Sequence, residues 1–309
     1  MKKHTFCAFA LALALMIGVS NPAEACTSAV VSGKVTPDGR PLLWKNRDTD
    51  NVQNAVKYFS GEKYAFIGIV NSVDNPTEIW IGTNTAGFAI MNTQSYNLVE
   101  VQPGEERGEA NGRVMKRALE VCGSIEDFKV FLDTLSKPSG IEANFGVIDA
   151  QGGAAMFEVG YYDYVMFDAN DPKDAPMGYI ARTNFSFSGE LYEGMGYVRF
   201  MNEDVELMRA AGTGQITPAW MFSDLARCFK NQMMGIDLKD GAYHTPRTTG
   251  WFVDKDFIPR RSTGSSVVVQ GVKKGENPDL TVMWTALNYP PAAVAVPLWV
   301  KNAEKMPPM

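Results

Sequence analysis

The chain has 309 residues, 45% of them hydrophobic and 21% charged, with a mean hydropathy of −0.14, a composition that excludes disorder, collagen and coiled coil and suffices for a large core. Lys and Arg number 29 against 35 Asp and Glu, for a net charge of −6, and no basic run supplies the phosphate-neutralising surface of a nucleic-acid binder. The two histidines, His4 and His244, are too few for a His-rich metal centre or an imidazole relay.

The first 25 residues read as a secretory signal: Lys2 and Lys3, an apolar run from Phe6 to Val19, then Ala23-Glu24-Ala25 as a small-x-small cleavage site. That run is short for a bilayer span, and no later stretch reaches the length of a transmembrane helix. The expectation is an exported chain, periplasmic or secreted, cut before Cys26, with 26–309 forming a single domain. Cys7 leaves with the signal, and Cys26, Cys122 and Cys228 remain. An odd number of cysteines in an oxidising compartment leaves at least one unpaired.

From Cys26 the pattern is strand-like. Thr27 to Ser32 and Leu42 to Lys45 are apolar runs joined by Thr36-Pro37-Asp38-Gly39 and predict a hairpin. Tyr64 to Val70, Glu78 to Ile81 and Phe88 to Met91 extend it, separated by Asp74-Asn75-Pro76 and Thr85-Ala86-Gly87. Val114, Met115, Ala118, Leu119 and Cys122 then share a helical apolar face ending at Gly123. Ser124 with Asp127 resembles a capping box opening a second helix, whose stripe is Phe128, Phe131, Leu132 and Leu135 and which Pro138 stops. Strands return at Asn144 to Ile148, Ala154 to Val159 and Tyr164 to Phe167. Helices are predicted over Val198 to Ala211 and from Pro218 to about Met233, the second with Thr217 as N-cap. Ser266 to Val272, Leu280 to Leu287 and Val294 to Val300 close the chain as strands. Runs of strands alternating with paired helices give an α+β class, with antiparallel hairpins on a helical layer.

Cys26 is the residue that the predicted cut exposes. An N-terminal cysteine carries nucleophile and base together, because its α-amino group, with a reference pKa of about 7.7–8.0, can take the thiol proton without histidine. Other uses of the position are a lipid anchor, half of a disulfide, or no chemistry at all. The residues before it, Ala23-Glu24-Ala25, lack the aliphatic side chain usual three positions upstream of a lipidated cysteine.

Cys26-Thr27-Ser28, followed by Leu42-Leu43-Trp44-Lys45-Asn46-Arg47-Asp48, resembles the opening of the N-terminal-nucleophile hydrolases that cleave linear amides. The group includes choloylglycine (bile-salt) hydrolases, penicillin V acylases, acyl-CoA:6-aminopenicillanate acyltransferases and N-terminal-Cys dipeptidases. Asn84-Thr85-Ala86-Gly87-Phe88 leading to Met91-Asn92, then Asn144-Phe145-Gly146-Val147-Ile148-Asp149-Ala150 with Glu158, then Arg182-Thr183-Asn184 continue the likeness in order. It implies a four-layer αββα sandwich, two stacked antiparallel sheets between helical layers. It also implies Cys26 as nucleophile, Asp48 as the carboxylate fixing the α-amino group, Asn92 and Asn184 as the oxyanion hole, and Arg199 as a further active-site residue. Bile-salt hydrolases carry Arg at the start of the four-residue motif ending in the Asp, where this chain has Lys45, with Arg47 two residues on; both are given to substrate binding. Taken singly, each residue has an ordinary use: Asp48 capping a turn, the asparagines bonding their own loops, Arg199 as an exposed helix residue.

The expected activity is hydrolysis of a linear, non-peptide amide through an acyl-enzyme on Cys26, with acyl transfer to an amine as the runner-up and a lipid-anchored binding protein as the alternative from another class. No cofactor or metal is expected. The expected partner is a small-molecule acyl amide, with neither nucleic acid nor a membrane span, and a homo-oligomer is left open. His244 reads as a surface-loop residue, and Ser262-Thr263-Gly264-Ser265-Ser266, ahead of a strand, reads equally as pocket lining or as turn chemistry. Cys122 and Cys228, each on an apolar helix face, are expected to be buried and reduced, because a disulfide needs Cα atoms within about 7 Å.

Overall fold

Most of the apolar runs become strands. The computed structural model describes residues 25–100, 108, 110–244 and 253–306. The signal segment with His4 and Cys7 lies outside these residues, as do Thr245 and Pro246 next to His244. In chain order come β1 (Thr27–Val31), β2 (Leu42–Asp48), β3 (Asn54–Phe59), β4 (Phe66–Asn71), β5 (Ile81–Asn84) and β6 (Ala89–Gln94). Helices α1 (Asn111–Val121) and α2 (Ile125–Thr134) follow, then β7 (Ala143–Ile148), β8 (Ala154–Val159), β9 (Tyr164–Asp168) and β10 (Tyr179–Arg182). After α3 (Tyr197–Gly212) the chain forms a short hairpin, β11 (Lys230–Asn231) and β12 (Ile236–Asp237), and ends in β13 (Thr263–Gln270), β14 (Val282–Leu287) and β15 (Val296–Leu298).

Two antiparallel sheets carry the fold, one of six strands in the order β10-β1-β2-β13-β14-β15 and one of seven running β3 to β9 in sequence order. Between them lies a core of Val30, Leu43, Val267 and Val269 from the first sheet against Ile67, Ile69, Met91 and Met156 from the second. The outer face of the seven-stranded sheet packs Phe88, Phe145 and Phe157 on Met115 and Leu119 of α1 and Phe128 of α2. The outer face of the other packs Leu42, Trp44 and Val268 on Leu207 and Ala210 of α3 and on Met221 and Leu225. The layers are therefore αββα, as the family resemblance implies. Because both faces of β2 are covered, Leu42, Leu43 and Trp44 form a continuous apolar run instead of alternating with polar residues. At Gly146 the sheets approach so closely that a Cβ there would lie 2.7 Å from Val30 Cγ2 and 2.9 Å from Leu43 Cδ1.

Local signals held at α2, where Ser124 Oγ accepts from the Asp127 amide at 3.1 Å and Asp127 Oδ2 accepts from the Gly123 amide at 2.8 Å, tying both residues into one cap. The helix stops at Thr134, a few residues before Pro138. The helix expected from Pro218 to Met233 is cut short. Thr217 caps it as read, but it widens into a π-turn over Met221–Leu225 and ends. There the Arg227 guanidinium donates to the Pro290 and Ala293 carbonyls at 3.0 and 2.7 Å, and the chain turns back through Gly235, at φ 63°, into the β11–β12 hairpin. The strand expected over Glu78 to Ile81 begins only at Ile81, because the Ile79 amide donates to Gly112 at the start of α1. Strands β3 and β10 are additional to those read from the sequence. Among the described residues no helix is long and apolar enough to cross a membrane.

Cys26, Cys122 and Cys228 are all buried, and each is a thiol instead of half a disulfide. Cys122 caps α1 and Cys228 follows the π-turn instead of lying on a helix; burial, with the charge of Asp127 second, pushes the Cys122 thiol up to about 12. Thiol labelling of the denatured, non-reduced chain that starts at Cys26 is expected to modify three cysteines, and the folded chain is expected to leave Cys122 and Cys228 almost unlabelled. A denatured count of one would show that two of them are bridged.

Candidate active site

Cys26 sits immediately before β1, buried among β1, β2, α3 and the turn leading into β13. The β1–β2 register places Thr27 opposite Asn46, so the chain ahead of β1 runs alongside the end of β2, where Asp48 lies. The Cys26 thiol approaches the Asp48 carbonyl oxygen at 3.9 Å. The Asp48 carboxylate, itself buried, is held from the opposite strand of the sheet: Thr263, its register partner at the start of β13, donates its hydroxyl to Oδ1. Arg260 donates through Nε at 3.0 Å and also through Nη2 to Oδ2. Arg260 is brought there by a tight turn in which its amide donates to Thr263 Oγ1 at 2.9 Å and its carbonyl accepts from the Thr263 amide at 2.8 Å. Its Nη2 also donates to the Ala25 carbonyl at 2.6 Å.

On the other side of Cys26 stands Arg199, in the first turn of α3. It is not an exposed helix residue. Its Nη1 donates to the Cys26 carbonyl at 2.6 Å and to Thr27 Oγ1 at 2.9 Å, and its Nη2 donates to Asn184 Oδ1 at 2.8 Å. The helix opens at Gly196, at φ 88°, and a Cβ there would lie 2.4 Å from Arg199 Nη2, so glycine is needed both for the left-handed turn and for the guanidinium. Burial, and next the charge of Arg260, bring the Arg199 guanidinium down to about 10. One turn further, Glu203 is fully buried, and among the described residues neither of its carboxyl oxygens has a hydrogen-bond partner. Burial first, and the charge of Asp204 second, hold it well above the ordinary carboxylate range.

Asn184 donates through Nδ2 to the Gln94 carbonyl at 2.8 Å, which ties the end of β6 to the site. The segment around it is braced by residues that the sequence reading had grouped with the motif. Asn144 Nδ2 donates to the carbonyls of Thr183 and Phe185, on either side of Asn184. Glu158 pairs with Arg182 at 2.6 Å and accepts from the amides of Phe187 and Ser188. Asn84 is a scaffold residue of another kind: its Nδ2 donates to the Leu119 and Cys122 carbonyls and its Oδ1 accepts from the Ala86 and Phe88 amides.

The expected residues thus fall into two groups. Cys26, Asp48, Asn184 and Arg199 form one hydrogen-bonded set with Arg260, Thr263 and Gln94. Asn92 belongs to a neighbouring set: its Oδ1 accepts from Lys45 Nζ at 2.8 Å, which also donates to the Trp80 carbonyl at 3.0 Å. Arg47 lies over the Trp80 ring, 4.4 Å from its centroid, and donates to Asn54 Oδ1 at 3.1 Å. Lys45 and Arg47 are both buried. Arg260 carries no signal in the sequence, and Thr263 lies in the stretch from Ser262 to Ser266 that reads equally as pocket lining or as turn chemistry; their distance in sequence from Asp48 hides the pairing.

No family model and no curated protein sequence matches the chain. Among solved structures, it is similar to a variant of the conjugated bile acid hydrolase from Clostridium perfringens, at 15% identity over 91% of this chain and 94% of that one, with a TM-score of 0.49. It is also similar to the Caenorhabditis elegans ortholog of N-acylethanolamine-hydrolyzing acid amidase, at 13% identity over 79% and 92%, TM-score 0.49. A third is the penicillin V acylase from Agrobacterium tumefaciens, at 11% identity over 89% and 85%, TM-score 0.42.

The state of Glu203 has a measurable consequence. A carboxyl raised in the folded state binds its proton there more tightly than in the unfolded chain, so its contribution is complete below the ordinary carboxylate pKa and is lost as the pH rises toward the folded value. Compared with the parent, Glu203→Gln is expected to remove a stability loss of up to about 1.4 kcal/mol per pH unit above pH ~4.5. Denaturant midpoints of both proteins at several pH values test this, and parallel curves would contradict it.

Proposed function

We propose that the chain is exported, loses its first 25 residues, and then acts as an N-terminal-cysteine amidohydrolase on a linear acyl amide. The observation that carries this reading is the Arg199 fork, which joins the Cys26 carbonyl to the Asn184 side chain. A guanidinium only donates hydrogen bonds, so the Asn184 amide must turn its oxygen to Arg199 and its NH₂ the other way.

Removal of Ala25 frees the Cys26 nitrogen as an amine beside Asp48. The amine takes the thiol proton, and the thiolate attacks the substrate carbonyl. The tetrahedral oxyanion is assigned to the NH₂ groups of Asn184 and Asn92, each worth about 3–4 kcal/mol in comparable sites. For Asn92, too, the donor-only ammonium of Lys45 takes the oxygen end and leaves the NH₂ for other use. The ammonium of Cys26 then protonates the leaving amine, which departs, and water attacks the thioester to release the acid and regenerate the thiol.

The processed chain is to be assayed for amine release from a panel of N-acyl amino acids, bile-salt conjugates and acyl side-chain amides. Cys26→Ser is expected to lose most of the activity and Cys26→Ala all of it, since serine is the weaker nucleophile beside the same base. One residue retained ahead of Cys26 is expected to abolish turnover, because an acylated nitrogen is no base. Full activity in a chain whose extension persists by intact mass would refute the mechanism.

A further inference from the structure

Arg260 approaches Cys26 from its N-terminal side. Its Nη2 lies 2.6 Å from the Ala25 carbonyl oxygen, and that carbonyl shares its peptide group with the Cys26 nitrogen. With C=O near 1.23 Å and C–N near 1.33 Å, the oxygen and nitrogen of one peptide are at most ~2.6 Å apart. Arg260 Nη2 is therefore within about 5 Å of the nitrogen that, on the reading above, becomes the catalytic base; the inference rests on that reading.

Such a base meets opposing demands. A carboxylate close by orients the amine but favours its protonated form, which cannot take the thiol proton. Asp48 is that carboxylate. A guanidinium is charged at every working pH, and one within a few ångströms favours the neutral amine. Arg260 does two things at once, since it pairs with Asp48 through Nε and Nη2 and holds the same Nη2 at the carbonyl of the peptide group that carries the Cys26 nitrogen. The remaining charged groups around Cys26 come from other elements. Arg199 of α3 faces its carbonyl side, with the buried Glu203 a turn behind; Lys45 and Arg47 of β2 reach toward Asn92, Trp80 and Asn54.

We propose that Arg260 is a positioning residue that keeps the Cys26 α-amine in its neutral, basic form near neutral pH, offsetting the pull of Asp48. The proton balance is that of the acylation step: the S–H bond breaks, its proton goes to the amine nitrogen, and the ammonium so formed holds that proton until the leaving amine takes it. A cation at Arg260 and a carboxylate at Asp48 thus leave the nitrogen close to an unperturbed amine while fixing its direction.

The processed chain, reacted with p-nitrophenyl acetate from about pH 5 to about pH 9, reports acylation as release of p-nitrophenolate, and the midpoint of its acid limb reports the amine. Arg260→Gln is expected to move that midpoint up by about one unit or more, slowing acylation about tenfold near pH 6; Arg260→Lys is expected to bring it most of the way back. Asp48→Asn, which leaves Arg260 unopposed, is expected to move it below the value of an unperturbed α-amine, about 7.7–8.0, a shift that loss of the carboxylate alone does not produce and that can be read even if Arg260→Gln does not fold. NMR titration of the ¹⁵N-labelled α-amine reads the same midpoints without turnover. A rate lowered at every pH with an unmoved midpoint, an Arg260→Lys midpoint displaced as far as that of Arg260→Gln, or an Asp48→Asn midpoint at or above that of an unperturbed α-amine overturns the proposal. Release of p-nitrophenolate by Cys26→Ala at the parent rate is a separate result, which would remove the nucleophile assignment itself.

Discussion

Arg199 is a cation fully enclosed by protein, and the arrangement around Cys26 follows from that constraint. A buried charge is tolerated only where hydrogen bonds replace its water, and here the replacements are the Cys26 carbonyl, the Thr27 hydroxyl and the Asn184 amide oxygen. Those three acceptors come from the entry to β1, from β1 itself and from the segment after β10. Satisfying one guanidinium therefore aligns three parts of the chain. The same contact dictates a glycine at 196, since no side chain fits between the helix start and the guanidinium.

A second layer of charge makes the alignment rigid. Glu158 and Arg182 form a buried ion pair, and Glu158 uses its remaining acceptor capacity on the amides of Phe187 and Ser188. The Arg182 guanidinium is stacked on the Phe187 ring, 3.8 Å from its centroid. Such a pair contributes little net stability, because desolvation of both ions opposes their attraction, yet removing one partner is costly. Its value lies in geometry: the backbone after Asn184 is tied on one side by Glu158 and on the other by Asn144, so the Asn184 side chain has one direction to point. Asp48 is treated in the same way, with Thr263 on one oxygen and Arg260 on the other.

Much of the fold was legible because its signals are local. The capping pair Ser124 and Asp127, the apolar face of α1 and the turn residues between β1 and β2 act over a few residues, and each forms as the sequence predicts. Where the reading failed, a distant contact decided. The helix after Pro218 ends because Arg227 is drawn to carbonyls near Pro290, far along the chain. β10 is a four-residue strand whose place is set by its pairing with β1, which leaves no periodicity to read. The site was legible in part for a related reason. Cys26 immediately precedes β1 and Asp48 ends β2, the two strands of one hairpin, so their proximity is a short-range matter, whereas Arg260 reaches Asp48 only through the pairing of β13 with β2.

By itself the sequence determined the secondary elements with strong local patterns, the scarcity of histidine, and the cysteine placed just after a signal-like segment. These are properties of composition and short-range order, which need no knowledge of what packs where. Tertiary structure alone decided that two arginines distant in sequence flank Cys26, one at its carbonyl and one at the peptide nitrogen side, and that Lys45 is turned to Asn92. It also decided that the Asn84 and Asn144 of the motif brace backbone around other residues. The reason is physical. A donor's partner is set by which acceptors burial brings within about 3 Å of it, and in a sandwich whose layers are assembled from non-adjacent strands that choice is made only when the sheets close on one another.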